Sequence, residues 1–267
     1  ISARMSGCSS GPRVVWVRSM MRKMLSAPLL LALIARQGSA DEWNRKLQGS
    51  AESHLEVYFG CGCFWHMQHG FVELEMSSLK RRGDRITARA AYAGGTRPDD
   101  GLVCYHNMEG KADYGMMGHA EVVSMSIPQS TFPQFAQRFW TLCQGGLRQD
   151  TQDAGSEYRS VVGLPGGWGN AALLQILKGQ APSPEDAKKL VEGHGSSDGD
   201  TLTTGEVYVY DTNKFPAYTA EKFHQFHDDM RDQYGSKYNE FRRFATQTKC
   251  PGDSAAGGLS FLSWVTS

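Results

Sequence analysis

The sequence predicts an α+β fold, on three observations. Apolar residues alternate along 55–60, 86–92 and 120–127, as half-buried strands require. Apolar residues recur at helical spacing in Phe64, Met67, Phe71 and Leu74, and again in Phe132, Phe135, Phe139 and Leu142. With a further strand over 157–163 (EYRSVVG), the order is β-α-β-β-α-β, the ferredoxin-like split βαβ arrangement.

The first strand, LEVYFG, ends in glycine and runs straight into the first helix, so the chain passes from strand to helix through a tight turn. The second strand stops at Gly94 and Gly95, and a long polar loop separates it from the third, AEVVSMSI. C-terminal helical and coil extensions follow the core. They comprise a helix near 171–178, another near 184–192, a strand at EVYVYD and a helix near 219–231. The 267 residues suit one main domain, placed at 41–248, and the small-residue-rich 249–267 reads as a flexible tail.

The first forty residues have a different composition. Six Arg and Lys residues precede the first acidic one, Asp41, and a basic MMRK leads into LSAPLLLALIA and then GSA. This is the pattern of a secretory signal peptide, placed at 1–40, with an organellar transit peptide as the alternative reading. The secretory pathway or a plastid or other organelle is therefore expected ahead of the cytoplasm. The apolar run is too short to span a bilayer, so no stable membrane association is expected. Because the chain begins at Ile1, residues before Met20 or Met21 stand apart from this reading. Lys+Arg and Asp+Glu both number 28 and are scattered, which argues against a nucleic-acid partner.

Residues 59–66, FGCGCFWH, concentrate the chemistry. Cys63 lies where a strand turns into a helix, and unpaired backbone N–H groups there favour a thiolate and lower its pKa. Phe64 and Trp65 beside it can wall a pocket for a small apolar group. From the octet alone a buried, inert thiol is the commoner outcome. Period two puts Glu121 on the face of Val123, Met125 and Ile127, where burial would raise its pKa and keep a proton available for general-acid work. The opposite face, Ala120, Val122 and Ser124, leaves the inward side open.

GCFW at 62–65, YAGGTRP at 92–98, GHAEVV at 118–123 and RQDTQDAGSEYRS at 148–160, joined more weakly by AEKFHQ at 220–225, together resemble the A-type peptide methionine sulfoxide reductases. The resemblance implies a ferredoxin-like core and the thiol-dependent reduction of methionine-(S)-sulfoxide, peptide-bound or free. Cys63 would attack the sulfoxide sulfur, Glu121 would protonate the oxygen, and a sulfenic acid would form on Cys63. Phe64 and Trp65 would hold the methyl group, Tyr158 would hydrogen-bond the oxygen, and Asp153 would order the pocket. The resemblance implies no metal or organic cofactor, a monomer, oxidised proteins or methionine sulfoxide as substrate, and a thioredoxin-type reductant.

The sequence departs from that family at His66, where a glycine is usual, and in the longer loop before GHAE. A tyrosine expected before Cys104 is missing. Tyr105 or Tyr114 would supply the second hydroxyl, and Tyr114 is favoured because it lies nearer the GHAE strand. For the resolving thiol the tail residue Cys250 is the first candidate and Cys61 the rival, although a Cys61–Cys63 pair closes a small, strained ring. Cys104 and Cys143 are read as structural, or as a disulfide in an oxidising compartment. The competing class is a disulfide-framed binding domain without catalysis, for which five cysteines after the leader are an awkward odd number. Zinc on Cys61, Cys63, His66 and His69 is disfavoured by their spacing.

Overall fold

The computed structural model describes residues 52–253. The leader expected over 1–40 and residues 254–267 of the expected tail lie outside the described residues.

Seven strands form one mixed sheet: β1 (His54–Gly60), β2 (Arg89–Ala93), β3 (Ala120–Pro128), β4 (Val161–Leu164), β5 (Leu190–Glu192), β6 (Val207–Asp211) and β7 (Tyr218–Thr219). Their order is β5-β6-β4-β1-β3-β2-β7. The four strands expected from the sequence core lie at the centre as β4-β1-β3-β2, with every neighbouring pair antiparallel. Helix α1 (Phe64–Ser78) joins β1 to β2, and α2 (Phe132–Leu142) joins β3 to β4. β6 pairs parallel with both β4 and β5, and β7 adds an antiparallel edge to β2. The α+β class expected from the sequence is thus found, in a sheet wider than the six-element core.

One face of the sheet carries the main core. Phe59 stacks on Phe71 of α1 and on Phe139 of α2, with ring centroids 5.0 and 5.5 Å apart. Each fully buried ring of this kind contributes roughly 1.5–3 kcal/mol. Tyr58, Ala91, Val122, Val161 and Tyr210 form a second buried cluster. By the period-two alternation of the strands, this cluster covers the opposite face.

Three expected elements differ. The strand expected over 157–163 begins only at Val161, because Ser156–Tyr158 forms a 3-10 turn that enters through Gly155 at φ +119°. The helix expected over 184–192 is one short turn, α4 (Pro184–Ala187), capped by the Ser183 hydroxyl, after which residues 190–192 pair with β6. The helix expected over 219–231 is absent. A 3-10 turn at Lys222–His224 is followed by Phe226 at φ +52°, a left-handed residue that stops helical propagation. The helix at 171–178 is found as α3 (Ala171–Gly179), with the Asn170 side chain accepting from the Leu173 N–H. A short α5 (Ser236–Asn239) was not expected.

Two disulfides pair four of the five cysteines among the described residues. Cys61 bonds Cys143 at the end of α2, and Cys104 bonds Cys250. Cys104 and Cys143 therefore do not pair with each other. Cys250 does not sit on a free tail: it is buried, and the neighbouring Asp253 carboxylate accepts from the Lys222 and Thr248 backbone N–H groups. The domain edge placed at 248 thus cuts through packed structure. Cys63 is the free thiol among the described residues.

Candidate active site

The turn 60–63 places Cys63. Gly62 adopts φ +73°, and a Cβ there would come within 2.8 Å of Asp153 Oδ2, so both backbone conformation and space call for glycine. The Gly62 N–H donates to the carbonyl of Tyr158, 3.0 Å away, which ties this turn to the 3-10 turn carrying that tyrosine.

Cys63 is the N-cap residue of α1, where backbone N–H groups lack helical partners. Two carboxylates take the first of them. The Cys63 N–H donates to Asp153 Oδ2 at 3.0 Å, and the Phe64 N–H donates to Glu121 Oε2 at 2.9 Å. Glu121 lies on the helix-covered face of β3, which settles the side that alternation left open, and it is 2% exposed. Burial raises its pKa to about 8, against the lowering effect of the Phe64 N–H. Its carboxyl group is therefore mostly protonated at neutral pH.

The thiol departs from expectation. Its pKa is raised, chiefly by burial and then by the Glu121 carboxylate, and the Trp65 backbone N–H only partly offsets this. The helix N-terminus is present but is outweighed by desolvation.

A cavity of about 670 Å³ opens over these groups. Cys63, Phe64, Trp65, Glu121, Asp153 and Tyr158 all line it, so the structure brings together every one of those expected site residues. Tyr114 is the exception. It is fully buried, its hydroxyl lies 3.4 Å from Glu121 Oε1, and it stands behind the acid rather than in the cavity. Tyr105 occupies the cavity wall in its place. The Tyr105 and Tyr158 phenols have pKa values raised by burial and by Glu121, so both remain neutral donors.

Of the resolving candidates, Cys61 touches the cavity but is bonded to Cys143, and Cys250 is bonded to Cys104 outside the cavity wall. Cys104, Glu221 and Cys250 form the one group of three metal-capable side chains among the described residues. With the two sulfurs joined to each other, it does not offer a ligand set.

The sequence reading missed the wall contributed by residues 223–231. His227 stacks on Trp65 at 4.3 Å between centroids, and His224 packs against Phe64, Trp65 and Tyr105. Burial lowers the His224 pKa to about 3, so this ring is neutral. Gln68 of α1 and Gln225 hold the segment in place: Gln68 Nε2 donates to Gln225 Oε1, and the Phe226 N–H donates to Gln68 Oε1. The AEKFHQ likeness was the one signal for this wall, and the helical reading of the segment obscured it.

Buried Arg159 gathers the motifs. Its guanidinium donates to the carbonyls of Gly94, Gly118 and Ser156 and to the Tyr210 hydroxyl. Those carbonyls belong to the YAGG, GHAE and SEYRS stretches, so one cation fixes three segments of the site.

No family model matches the chain. The peptide methionine sulfoxide reductase MsrA of Methylobacterium sp. strain 4-46 is 33% identical over 124 residues, covering 43% of this chain and 48% of that protein. The chain resembles the A-type reductases. MsrA of Xylella fastidiosa strain M12 is 34% identical over 111 residues, covering 40% of this chain and 44% of its own. The MsrA of Methylobacterium nodulans is 27% identical over 194 residues, which cover 68% of this chain and 71% of that one. The chain thus spans about half the length of the first two MsrA relatives. Among solved structures, methionine sulfoxide reductase A of Corynebacterium diphtheriae aligns at TM-score 0.41 and 20% identity over 66% of this chain and 74% of its own. Reduced Mxr1 of Saccharomyces cerevisiae aligns at TM-score 0.40 and 18% identity over 66% and 84%.

Proposed function

We propose that this chain reduces methionine-(S)-sulfoxide, peptide-bound or free, through a sulfenic acid on Cys63. The observation that carries the reading is the pairing of a free thiol with a buried, protonated carboxyl group at one cavity. A sulfoxide oxygen leaves sulfur readily only once it is protonated, so the site needs both a nucleophile and an acid. The S stereochemistry comes from the A-type likeness.

In this reading Phe64 and Trp65 hold the substrate methyl group, while the Tyr105 and Tyr158 hydroxyls donate to the sulfoxide oxygen. Cys63 sulfur attacks the substrate sulfur, and Glu121 passes its proton to the oxygen. The proton released by the Cys63 thiol returns to Glu121. The hydroxyl then passes from the substrate sulfur to the Cys63 sulfur as the bond between the two sulfurs breaks, so Cys63 becomes a sulfenic acid, the substrate sulfur gains two electrons, and methionine departs. Asp153 keeps the turn in place through the Cys63 N–H. A thiol reductant of the thioredoxin type then restores the enzyme. The same activity in the compartment implied by the leader would repair oxidised secreted or organellar proteins.

A dimedone-trapping experiment tests this. Thiol-reduced chain is freed of reductant, mixed with one equivalent of methionine-(S)-sulfoxide in the presence of dimedone, and mapped by mass spectrometry. The expected result is release of methionine with Cys63 oxidised, either as the dimedone adduct or as a disulfide. Unchanged Cys63 and intact sulfoxide would contradict the proposal.

A further inference from the structure

The loop before β3 carries one phenol of the cavity and the 3-10 turn before β4 carries the other, and each phenol has a titratable neighbour that the mechanism above leaves unused. His106 directly follows Tyr105, and Glu157 directly precedes Tyr158. The His106 ring faces carboxylates on both sides. Its Nδ1 lies 3.0 Å from Asp113 Oδ2 and 3.2 Å from Oδ1, and its Nε2 lies 3.7 Å from Glu157 Oε1. Only a doubly protonated imidazole donates from both nitrogens, so the ring fits this place as a cation. Asp113 is buried and is fixed in turn by the Met116 N–H, which donates to its Oδ1 at 3.0 Å. The ring also packs against Tyr105 and Tyr114, with centroids 5.2 and 4.7 Å apart, so the titratable groups that face it among the described residues are Asp113, Glu157 and these two phenols. Gly115 makes room for the pair, because a Cβ there would run into Glu157 Oε1 and His106 Cε1.

We propose that the His106–Glu157 pair is a clasp that sets the spacing of the Tyr105 and Tyr158 hydroxyls, which makes His106 a positioning residue for the sulfoxide oxygen. The proposal rests on the reductase reading and deepens it by naming what aligns the two donors. Each phenol is otherwise anchored on its own side of the cavity. The Tyr105 N–H donates to Glu221 Oε1 at 2.7 Å, on a carboxylate that also accepts from the Tyr92 hydroxyl, while the Tyr158 carbonyl accepts from the Gly62 N–H. Neither bond relates one ring to the other. Arg159 joins the two segments at Gly118, at the far end of the loop, whereas His106 joins them directly beside the phenols. The pair is open to solvent, with the His106 and Glu157 side chains 47% and 30% exposed, and ion pairs of that kind add little to stability. Its effect is therefore felt in where the donors sit. Hydrogen bonds to an oxygen whose charge changes in the transition state depend steeply on placement.

The test is steady-state reduction of methionine-(S)-sulfoxide with dithiothreitol by the full chain, by His106→Gln, by Glu157→Gln and by the double variant, beside thermal unfolding of each. Each single variant should lower kcat by roughly 3- to 10-fold with KM nearly unchanged, a loss between that of an exposed ion pair and that of a misplaced reacting group. Unfolding midpoints should move by no more than about 2–4 °C. The double variant should be no slower than either single one, because both break the same link. In the Tyr158→Phe chain, where no second hydroxyl remains to be spaced, adding His106→Gln should leave the residual kcat as it is. Wild-type kcat in either single variant, a loss that falls on KM alone, or an undiminished loss in the Tyr158→Phe chain would overturn the clasp and leave the reductase reading intact. Absence of turnover by the wild-type chain would instead overturn the reductase reading, and the clasp with it.

Discussion

Glu121 is the residue on which the site's chemistry turns. With a pKa near 8 and the acid form required, kcat should fall as pH rises through about 8. Glu121→Gln should lower the rate by roughly 10²–10⁴-fold and remove that alkaline limb from the pH profile. Its folded-state pKa lies above the unfolded value, so the native state binds more protons, and this group's contribution to stability declines between about pH 4.5 and 8. The same variant should flatten that decline in denaturant midpoints measured across pH. Because the Tyr114 hydroxyl lowers the Glu121 pKa, Tyr114→Phe should move the alkaline limb upward, whereas Tyr105→Phe should reduce kcat with little movement of the limb. Alternation along 120–127 grouped Glu121 with Val123, Met125 and Ile127 but could not say which face turns inward, because Ala120 to Val123 are all buried. It could not choose between Tyr105 and Tyr114, since nearness in sequence to β3 says nothing about which ring faces the cavity. Nor could it give the direction of the Cys63 shift, which depends on how far burial exceeds the pull of the helix terminus.

At the scale of elements, the strand–turn–helix of β1 and α1 is the device that presents the thiol. Gly62→Ala should cost about 1–3 kcal/mol through its positive φ and the contact with Asp153, and it should reduce kcat more than KM because it moves Cys63 rather than the cavity walls. Thermal or urea unfolding beside steady-state kinetics would separate the two effects. This device was legible because the apolar period changes from two to 3.6 across FGCGCFW. The segment 219–231 was not, because Phe223, Phe226 and Met230 mimic helical spacing. Phe223 and Met230 instead line the cavity, and their positions come from the Gln68 and Gln225 hydrogen bonds rather than from a helix period. β5 was hidden similarly: three residues become a strand only because β6 lies beside them.

Over the whole molecule, the Cys104–Cys250 bond joins residues 146 apart in sequence and holds the C-terminal segment against the loop that carries Tyr105. Replacing both with serine should lower stability by about 2–4 kcal/mol in chemical unfolding while the free Cys63 remains reactive. The pairing of these cysteines lay beyond the sequence, because the chain pattern gives spacings but not which thiols meet. The five cysteines from residue 61 onward, an awkward odd number for a disulfide framework, resolve into two disulfides and one free thiol. The most direct test of the account is turnover of the two methionine sulfoxide epimers by the purified chain with dithiothreitol, beside Cys63→Ser. The account predicts loss of the S epimer alone, and none in the variant. Equal consumption of both epimers, or turnover that survives in Cys63→Ser, would contradict it.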